Sequence, residues 1–200
     1  MQHLKGNKEE LMRIAIQGVM GVGKSTFGIA LSERLSLPYH KEPFEQSFYI
    51  PHYYQDPKRW GFHAQIEMLG LMAHHSRLRG VLDCTIDTTY MVYCRSLLNS
   101  AELKVAKDLY HQLLVNIPTP DLSVFLVAKP KVILERIWSR NRDMEKDVAL
   151  GFISDKLERV IEMYDNCLSP RLLIDYDDFS QMDYHIERVA KACFSGLISK

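Results

Sequence analysis

Short apolar runs alternate along this chain with longer stretches in which apolar residues recur every three to four positions. The runs read as strands over 13–17, 80–83, 122–128 and 171–175, with an extended segment at 38–44. The periodic stretches predict helices over 24–36, 57–79, 87–116 with a break, 130–141, 151–168 and 181–198. Strand following helix in this way argues for an α/β domain, a five-stranded parallel sheet with helices on both faces. Such sheets bind ligands beyond the carboxyl ends of their strands. Pro118-Thr119-Pro120-Asp121 makes a rigid approach to the fourth strand. No linker, repeat or low-complexity segment divides residues 1–200, which read as one domain.

One stretch departs from this pattern. Gly18-Val19-Met20-Gly21-Val22-Gly23-Lys24-Ser25 sits between the first strand and the first helix, the layout of a phosphate-binding loop. Gly18, Gly21 and Gly23 free backbone N–H groups, with that of Val22, to close around phosphate oxygens. Lys24 can neutralise β/γ charge and the Ser25 hydroxyl can hold Mg²⁺. Thr26 opens the helix, whose N-terminal amides and dipole point at the anion. A plain Gly-rich turn would not need Lys then Ser at this spacing. ATP with Mg²⁺ is therefore the expected ligand.

Composition narrows the partners. The chain has 200 residues, 46% of them hydrophobic, with 25 basic and 25 acidic side chains and a formal net charge of zero. That balance offers no field to gather nucleic acid or an anionic membrane, so the expected partner is a small molecule. No segment reaches the length of a membrane span and residues 1–10 carry no apolar signal core, which gives a cytoplasmic expectation. Cys84, Cys94, Cys167 and Cys193 have no CxxC or zinc-type spacing and read as reduced, packed thiols. His74-His75 resembles a metal pair, but neighbouring helical residues point apart and a structural or surface role fits better.

Among phosphate-loop proteins the guanine-reading Asn-Lys-x-Asp and an Asp-Glu strand end are both missing. Instead Arg136, Arg140 and Arg142, with Glu145, follow the fourth strand. Arg136 and Arg140 are four apart on one helical face, and Arg142 falls near the helix end. A charge run is usually a solvated face. In a phosphate-loop chain it suits a lid, at about 138–150, whose cations close over a transferred phosphoryl group and exclude water.

With Glu42-Pro43, the run from Tyr54-Gln55-Asp56-Pro57-Lys58-Arg59-Trp60 to Gln65, Pro120-Asp121-Leu122, and Leu134 through Glu145, the chain resembles the deoxynucleoside kinase family over nearly its whole length. The similarity is greatest to the bacterial purine deoxynucleoside kinases. It implies a P-loop kinase fold with an arginine-rich lid. It also implies Mg²⁺-dependent transfer from ATP to the 5′-hydroxyl of a deoxynucleoside in nucleotide salvage. Glu42 would be the base and Lys24, Arg140 and Arg142 would serve the transferred phosphoryl. Tyr54 and Glu145 would hold the sugar 3′-hydroxyl and Gln65 the base edge. Phe44 and Met72 would be pocket walls, Trp60 is read as core, and Gln65 shares a helix whose packing face is read as Trp60, Phe62, Ile66, Leu69 and Ala73. The family usually dimerises through helices near 57–79 and 87–116, so a homodimer is expected, with a heterodimer with a paralogue as the alternative.

The chain departs from the family at the third strand end, where an acidic residue, Arg and Ser are usual and Asp83-Cys84-Thr85 stands here. Asp83 still offers a Mg²⁺-side carboxylate, with Ser25. Arg59, Arg95 or a lid arginine could supply the missing cation. At the base, Met72 and Thr89 replace the Arg and Asp of relatives that choose purine or cytosine, leaving Gln65 with Thr88, Thr89 and Tyr90. The reading is a purine deoxynucleoside, with thymidine or broad specificity as alternatives. A nucleoside monophosphate kinase of thymidylate-kinase type and a nucleotide-binding regulatory subunit are the rival functions.

Overall fold

The computed structural model describes residues 12–142 and 145–194. Five parallel strands form the sheet: β1 (Arg13–Gln17), β2 (Tyr39–His40), β3 (Gly80–Asp83), β4 (Leu122–Val127) and β5 (Arg171–Asp175). Their spatial order is β2-β3-β1-β4-β5, with β1 central and in register Ile14 to Val81 on one side and Ile14 to Leu122 on the other. Ile14, Ala15 and Ile16 are fully buried, as strands covered on both faces must be. The chain runs from β1 to β2 and β3 on one side, then crosses to β4 and β5. The loops after β1, β2 and β3 therefore gather at one rim, where a parallel sheet opens a crevice.

The helices are α1 (Lys24–Leu35), α2 (Tyr49–Gln55), α3 (Pro57–His75), the irregular α4 from Ile86 to Leu97, α5 (Ser100–Leu114), α6 (Pro130–Ser139), α7 (Leu150–Asp165) and α8 (Met182–Phe194). A core about the sheet holds Phe27, Leu31, Val124, Leu126, Ile133 and Tyr176. A second one, with Ile50, Leu69, Met72, Ile86, Tyr90 and Tyr110, lies among α2 to α5.

Several boundaries differ from expectation for local reasons. The extended segment 38–44 shrinks to two paired residues, because Pro43 opens a 3₁₀ turn over Pro43–Gln46. The sequence reading passes over α2, whose Ser47 hydroxyl and Phe48 and Tyr49 amides are capped from a distance by Glu67 on α3. The expected 87–116 helix breaks at extended Leu98. Asn99 then caps α5, accepting from the amides of Ala101 at 3.0 Å and Glu102 at 3.1 Å, and Glu102 accepts from the Asn99 amide. Within α4, Thr89–Cys94 winds as a π-helix, a wider turn common at functional sites. The last helix is described to Phe194, and the rest of the expected 181–198 range lies outside the described residues.

The packing face of α3 needs correction. Its buried side is Gly61, Ala64, Gln65, Met68, Leu69, Met72 and Ala73, rotated from the expected stripe. Gly61 and Ala64 are buried there although a hydropathy pattern gives such small side chains little weight. Trp60 lies outside both cores, stacked on Tyr49 with centroids 5.7 Å apart. His74 is exposed while its neighbour His75 is buried, so the two imidazoles do not form a pair.

Candidate active site

The phosphate loop turns immediately at the end of β1 because its glycines take conformations that side chains resist. Gly18 has φ of 147°, and a Cβ there would meet the Leu126 carbonyl oxygen at 2.7 Å; Gly23, at φ 110°, has ring carbons of Tyr176 and Phe179 2.9 Å from where its Cβ would lie. Arg136 locks the loop from behind. Its guanidinium donates to the carbonyls of Val22 (3.1 Å) and Asp177 (2.8 Å) and lies 3.8 Å from the centre of the Phe179 ring. Arg136 thus braces the loop, whereas Arg140 and Arg142 face the crevice.

Lys24, Ser25, Glu42 and Asp83 meet at the sheet rim on a cavity of about 350 Å³. The Lys24 ammonium donates to the Val19 carbonyl at 3.2 Å. Burial works against its charge, but the surrounding acidic groups, Asp83 and Glu42 among them, outweigh that and hold the lysine well above its ordinary range. Burial raises the Glu42 carboxyl to about 7, with Asp83 adding to the rise and Lys24 opposing it. A carboxyl poised there can take a proton near neutral pH.

Asp83 accepts through one oxygen, Oδ2, from Ser25 Oγ (2.7 Å) and Tyr39 OH (2.9 Å). Its other oxygen, Oδ1, is buried with no protein partner. A carboxylate with a spare buried oxygen beside a hydroxyl is a donor set of the hard, oxygen-only kind that Mg²⁺ takes. Cys84, the residue after it, is held in the left-handed region at φ 65°, with its amide bonded to the Ile16 carbonyl. Burial pushes its thiol far up and keeps it neutral at physiological pH, so it contributes neither a cation nor a ready nucleophile.

The other end of the cavity is built from helices. Tyr53 and Tyr54 on α2, Gln65 and Met68 on α3, and Thr89, Tyr93 and Leu97 on α4 line it, with Val148 just before α7 and Phe152 in its first turn. Gln65 is buried, its Oε1 3.9 Å from the Cys94 thiol. Arg142 donates to Glu145 Oε1 at 3.3 Å, while Glu145 Oε2 is buried without a protein partner. Burial, aided by the Glu145 charge, raises the Tyr54 phenol. Burial lowers the Arg140 guanidinium, partly offset by Glu145.

Beneath α4 a buried relay runs from Gln17, the last residue of β1. Gln17 donates to Thr85 Oγ1 (2.9 Å) and accepts from Thr88 Oγ1 (2.6 Å); Thr85 in turn donates to Asp87, which also accepts from Tyr110. This relay ties the loop-bearing strand to the helix that presents Thr89.

The profile of the deoxynucleoside kinase family matches residues 14–199. The chain belongs to the deoxynucleoside kinase family. This is a family of phosphotransferases. Among its relatives, a deoxyadenosine kinase of Dictyostelium discoideum is 35% identical over 152 residues, 71% of this chain and 62% of that protein. The chain thus spans less than two thirds of that relative. A deoxyguanosine kinase of Bacillus subtilis (strain 168) is 27% identical over 199 residues, covering 88% of this chain and 93% of its own. The solved structure of deoxyadenosine kinase from M. mycoides with bound dCTP superimposes with a TM-score of 0.81 at 25% identity, over 90% of this chain and 100% of that one.

Of the residues expected from the sequence, Gly21, Gly23, Lys24, Ser25, Glu42, Tyr54, Gln65, Asp83, Thr89, Arg140, Arg142 and Glu145 surround this cavity, and Phe44 joins them. Gly18 and Val22 shape the loop from beneath. Thr26 is exposed on the first turn of α1. Met72 does not line the cavity: it is fully buried in the second core, one turn beyond Met68, which lies on the same face of α3 and reaches the cavity in its place. Arg59, set over Trp60, and Arg95, paired with Glu162 at 2.7 Å, stand away from the cavity lining. Tyr53, Met68, Tyr93, Leu97 and Phe152 are additions. Thr89, Tyr93 and Leu97 recur every four residues, a spacing that marks one helical face.

Proposed function

We propose that this deoxynucleoside kinase transfers the γ-phosphoryl of ATP to the 5′-hydroxyl of a purine deoxynucleoside. One observation carries the reading. Glu42, raised to about 7 and partly open to the cleft, faces the charge of Lys24 where the phosphate loop meets a cavity lined by Gln65, Tyr54 and Glu145. The loop amides and Lys24 hold the donor phosphates. Glu42 accepts the proton of the 5′-hydroxyl as that oxygen bonds to γ-phosphorus and the bond to the β–γ bridging oxygen breaks, leaving ADP. Ser25 and Asp83 would hold Mg²⁺, which when bound neutralises charge on the β- and γ-phosphates.

The sugar 3′-hydroxyl falls to Tyr54 and to Glu145, whose spare buried oxygen can accept it. Gln65 pairs with the base edge, its amide both donating and accepting. The segment carrying Arg140, Arg142 and Glu145 acts as the lid, and its arginines supply the cation that Cys84 does not. Residues 143 and 144 of that lid lie outside the described residues. The purine preference is supported by relatives named deoxyadenosine and deoxyguanosine kinase. Against an acceptor that already carries a phosphate stand the carboxylates of Glu42 and Glu145, which would repel it.

Labelled-ATP transfer with Mg²⁺, run against the four deoxynucleosides and their monophosphates, tests this reading. Label on deoxyadenosine or deoxyguanosine, lost in Glu42→Gln, is the expected result. Label on monophosphates alone, or undiminished transfer by the variant, overturns it.

A further inference from the structure

Lys156 is among the most buried side chains of the protein, 1% exposed, although it carries an ammonium and lies outside the transfer centre. Its Nζ donates to the Ser96 hydroxyl of α4; that hydroxyl donates to Asp155, and Nζ also reaches Asp155 Oδ2 at 3.2 Å. On its remaining side the ammonium sits 4.1 Å from the centre of the Phe152 ring, one helical turn earlier on α7. Phe152 lines the cavity, as does Leu97, the neighbour of Ser96. Nearly two turns further along α7, Glu162 pairs with Arg95, the residue before Ser96 on α4.

A lysine buried this completely is costly unless every face of its charge is met. Stability alone would be served as well by an apolar side chain of similar size. What the lysine adds is direction. It joins the two helices that carry the cavity wall and holds the Phe152 ring by its face, which an apolar chain would leave free to turn.

We propose that Lys156 is a positioning residue for the nucleoside: with Ser96 and Asp155 it clasps α7 to α4 and fixes the Phe152 ring as the rigid wall against which the substrate's base packs. The inference rests on the reading of this cavity as the nucleoside site. It assigns Lys156 no part in the transfer step, so its influence falls on the acceptor side.

The test is a double-mutant cycle between Lys156→Met and Phe152→Ala, read as KM for deoxyadenosine and deoxyguanosine, KM for ATP and kcat. Ser96→Ala is a third variant that unclasps the helices without altering the buried lysine. Lys156→Met and Ser96→Ala should each raise the nucleoside KM about three- to ten-fold, leaving kcat and the ATP KM within two-fold. Lys156→Met should add little once Phe152 is alanine, because the ring it holds is gone. If Phe152→Ala raises the nucleoside KM but the effects of Lys156→Met and Phe152→Ala add in full, or Lys156→Met and Ser96→Ala lower only thermal stability, Lys156 is structural and the inference fails while the nucleoside reading stands. If Phe152→Ala itself leaves the nucleoside KM unchanged, the inference falls together with that reading of the cavity wall.

Discussion

The two ends of the cavity are made in different ways. At the end proposed to hold the donor, backbone amides are set beside a few side chains. A loop between β1 and α1 presents amides, and Lys24, Ser25, Glu42 and Asp83 lie at or just beyond the carboxyl ends of three neighbouring strands. At the acceptor end, side chains from α2, α3, α4 and α7 converge across long stretches of sequence, and only helix packing decides which of them arrive. The first kind of site is built round one contiguous motif, Gly18 through Ser25, joined by Glu42 and Asp83 from neighbouring strand ends. The second is assembled from separate helices and can be retuned one residue at a time. A parallel sheet explains the division, since its rim is rigid while helices can rotate or slide by a fraction of a turn.

The sharpest way to break this contrast is at the donor end. Lys24→Met removes the charge proposed to meet the transferred group, and kcat/KM should fall on the order of a thousand-fold or more, with nucleoside affinity held within a few-fold by calorimetry. A large loss of nucleoside affinity would mean that the two ends are not separable. Next in size is Gln65→Leu. It should raise the nucleoside KM roughly ten- to a hundred-fold and spare the ATP KM, because a buried hydrogen-bonding edge of the base would lose its partner. Equal effects on both substrates would contradict the assignment.

This contrast also decides what could be read before the structure. The phosphate loop and four of the five strands are legible because each is local: Gly18 through Ser25 is contiguous and β1, β3, β4 and β5 are short apolar runs, whereas β2 is only Tyr39 and His40 within a segment read as extended. Glu42, Gln65, Asp83 and Glu145 come from the family resemblance, and the structure brings them to one cavity. Met72 is different. Met68 and Met72 stand four residues apart on one face of α3, so only the reach of the cavity along the helix separates them: Met68 lines it and Met72 packs in the second core, which a hydrophobicity pattern does not distinguish. Tyr93 carries a four-residue spacing signal with Thr89 and Leu97. The Ser96–Lys156 clasp has none, because it joins residues sixty positions apart that only the packing of α4 on α7 brings together.

The smallest expected effect bears on the cation that Cys84 does not provide. Arg59, stacked over Trp60 outside the cavity, should be replaceable by alanine with kcat and both KM values within two-fold. A hundred-fold fall in kcat would instead make Arg59 the missing cation and require the α2–α3 hairpin to close over the donor end.

Glu42 joins the two ends and its pKa gives the sign of two further effects. The folded-state value, about 7, lies above the ordinary 4.5, so the folded protein holds this proton more tightly than the unfolded chain does. Its contribution to stability is therefore fullest below pH 4.5, declines as pH rises towards 7 and is level above. Glu42→Gln should accordingly stabilise the protein at pH 8 by about 1–2 kcal/mol, after allowance for solvent in the cleft, as read by denaturant unfolding.

The most direct test of Glu42 as the base facing the phosphate loop is the pH dependence of kcat/KM for the nucleoside, wild type against Glu42→Gln. The wild type should lose activity tenfold per unit below about pH 7 and run level above it. In the variant that acid limb should vanish and the plateau drop by roughly 10²–10⁴. An acid limb that survives in Glu42→Gln, or a variant as active as the wild type, would show that the proton goes elsewhere.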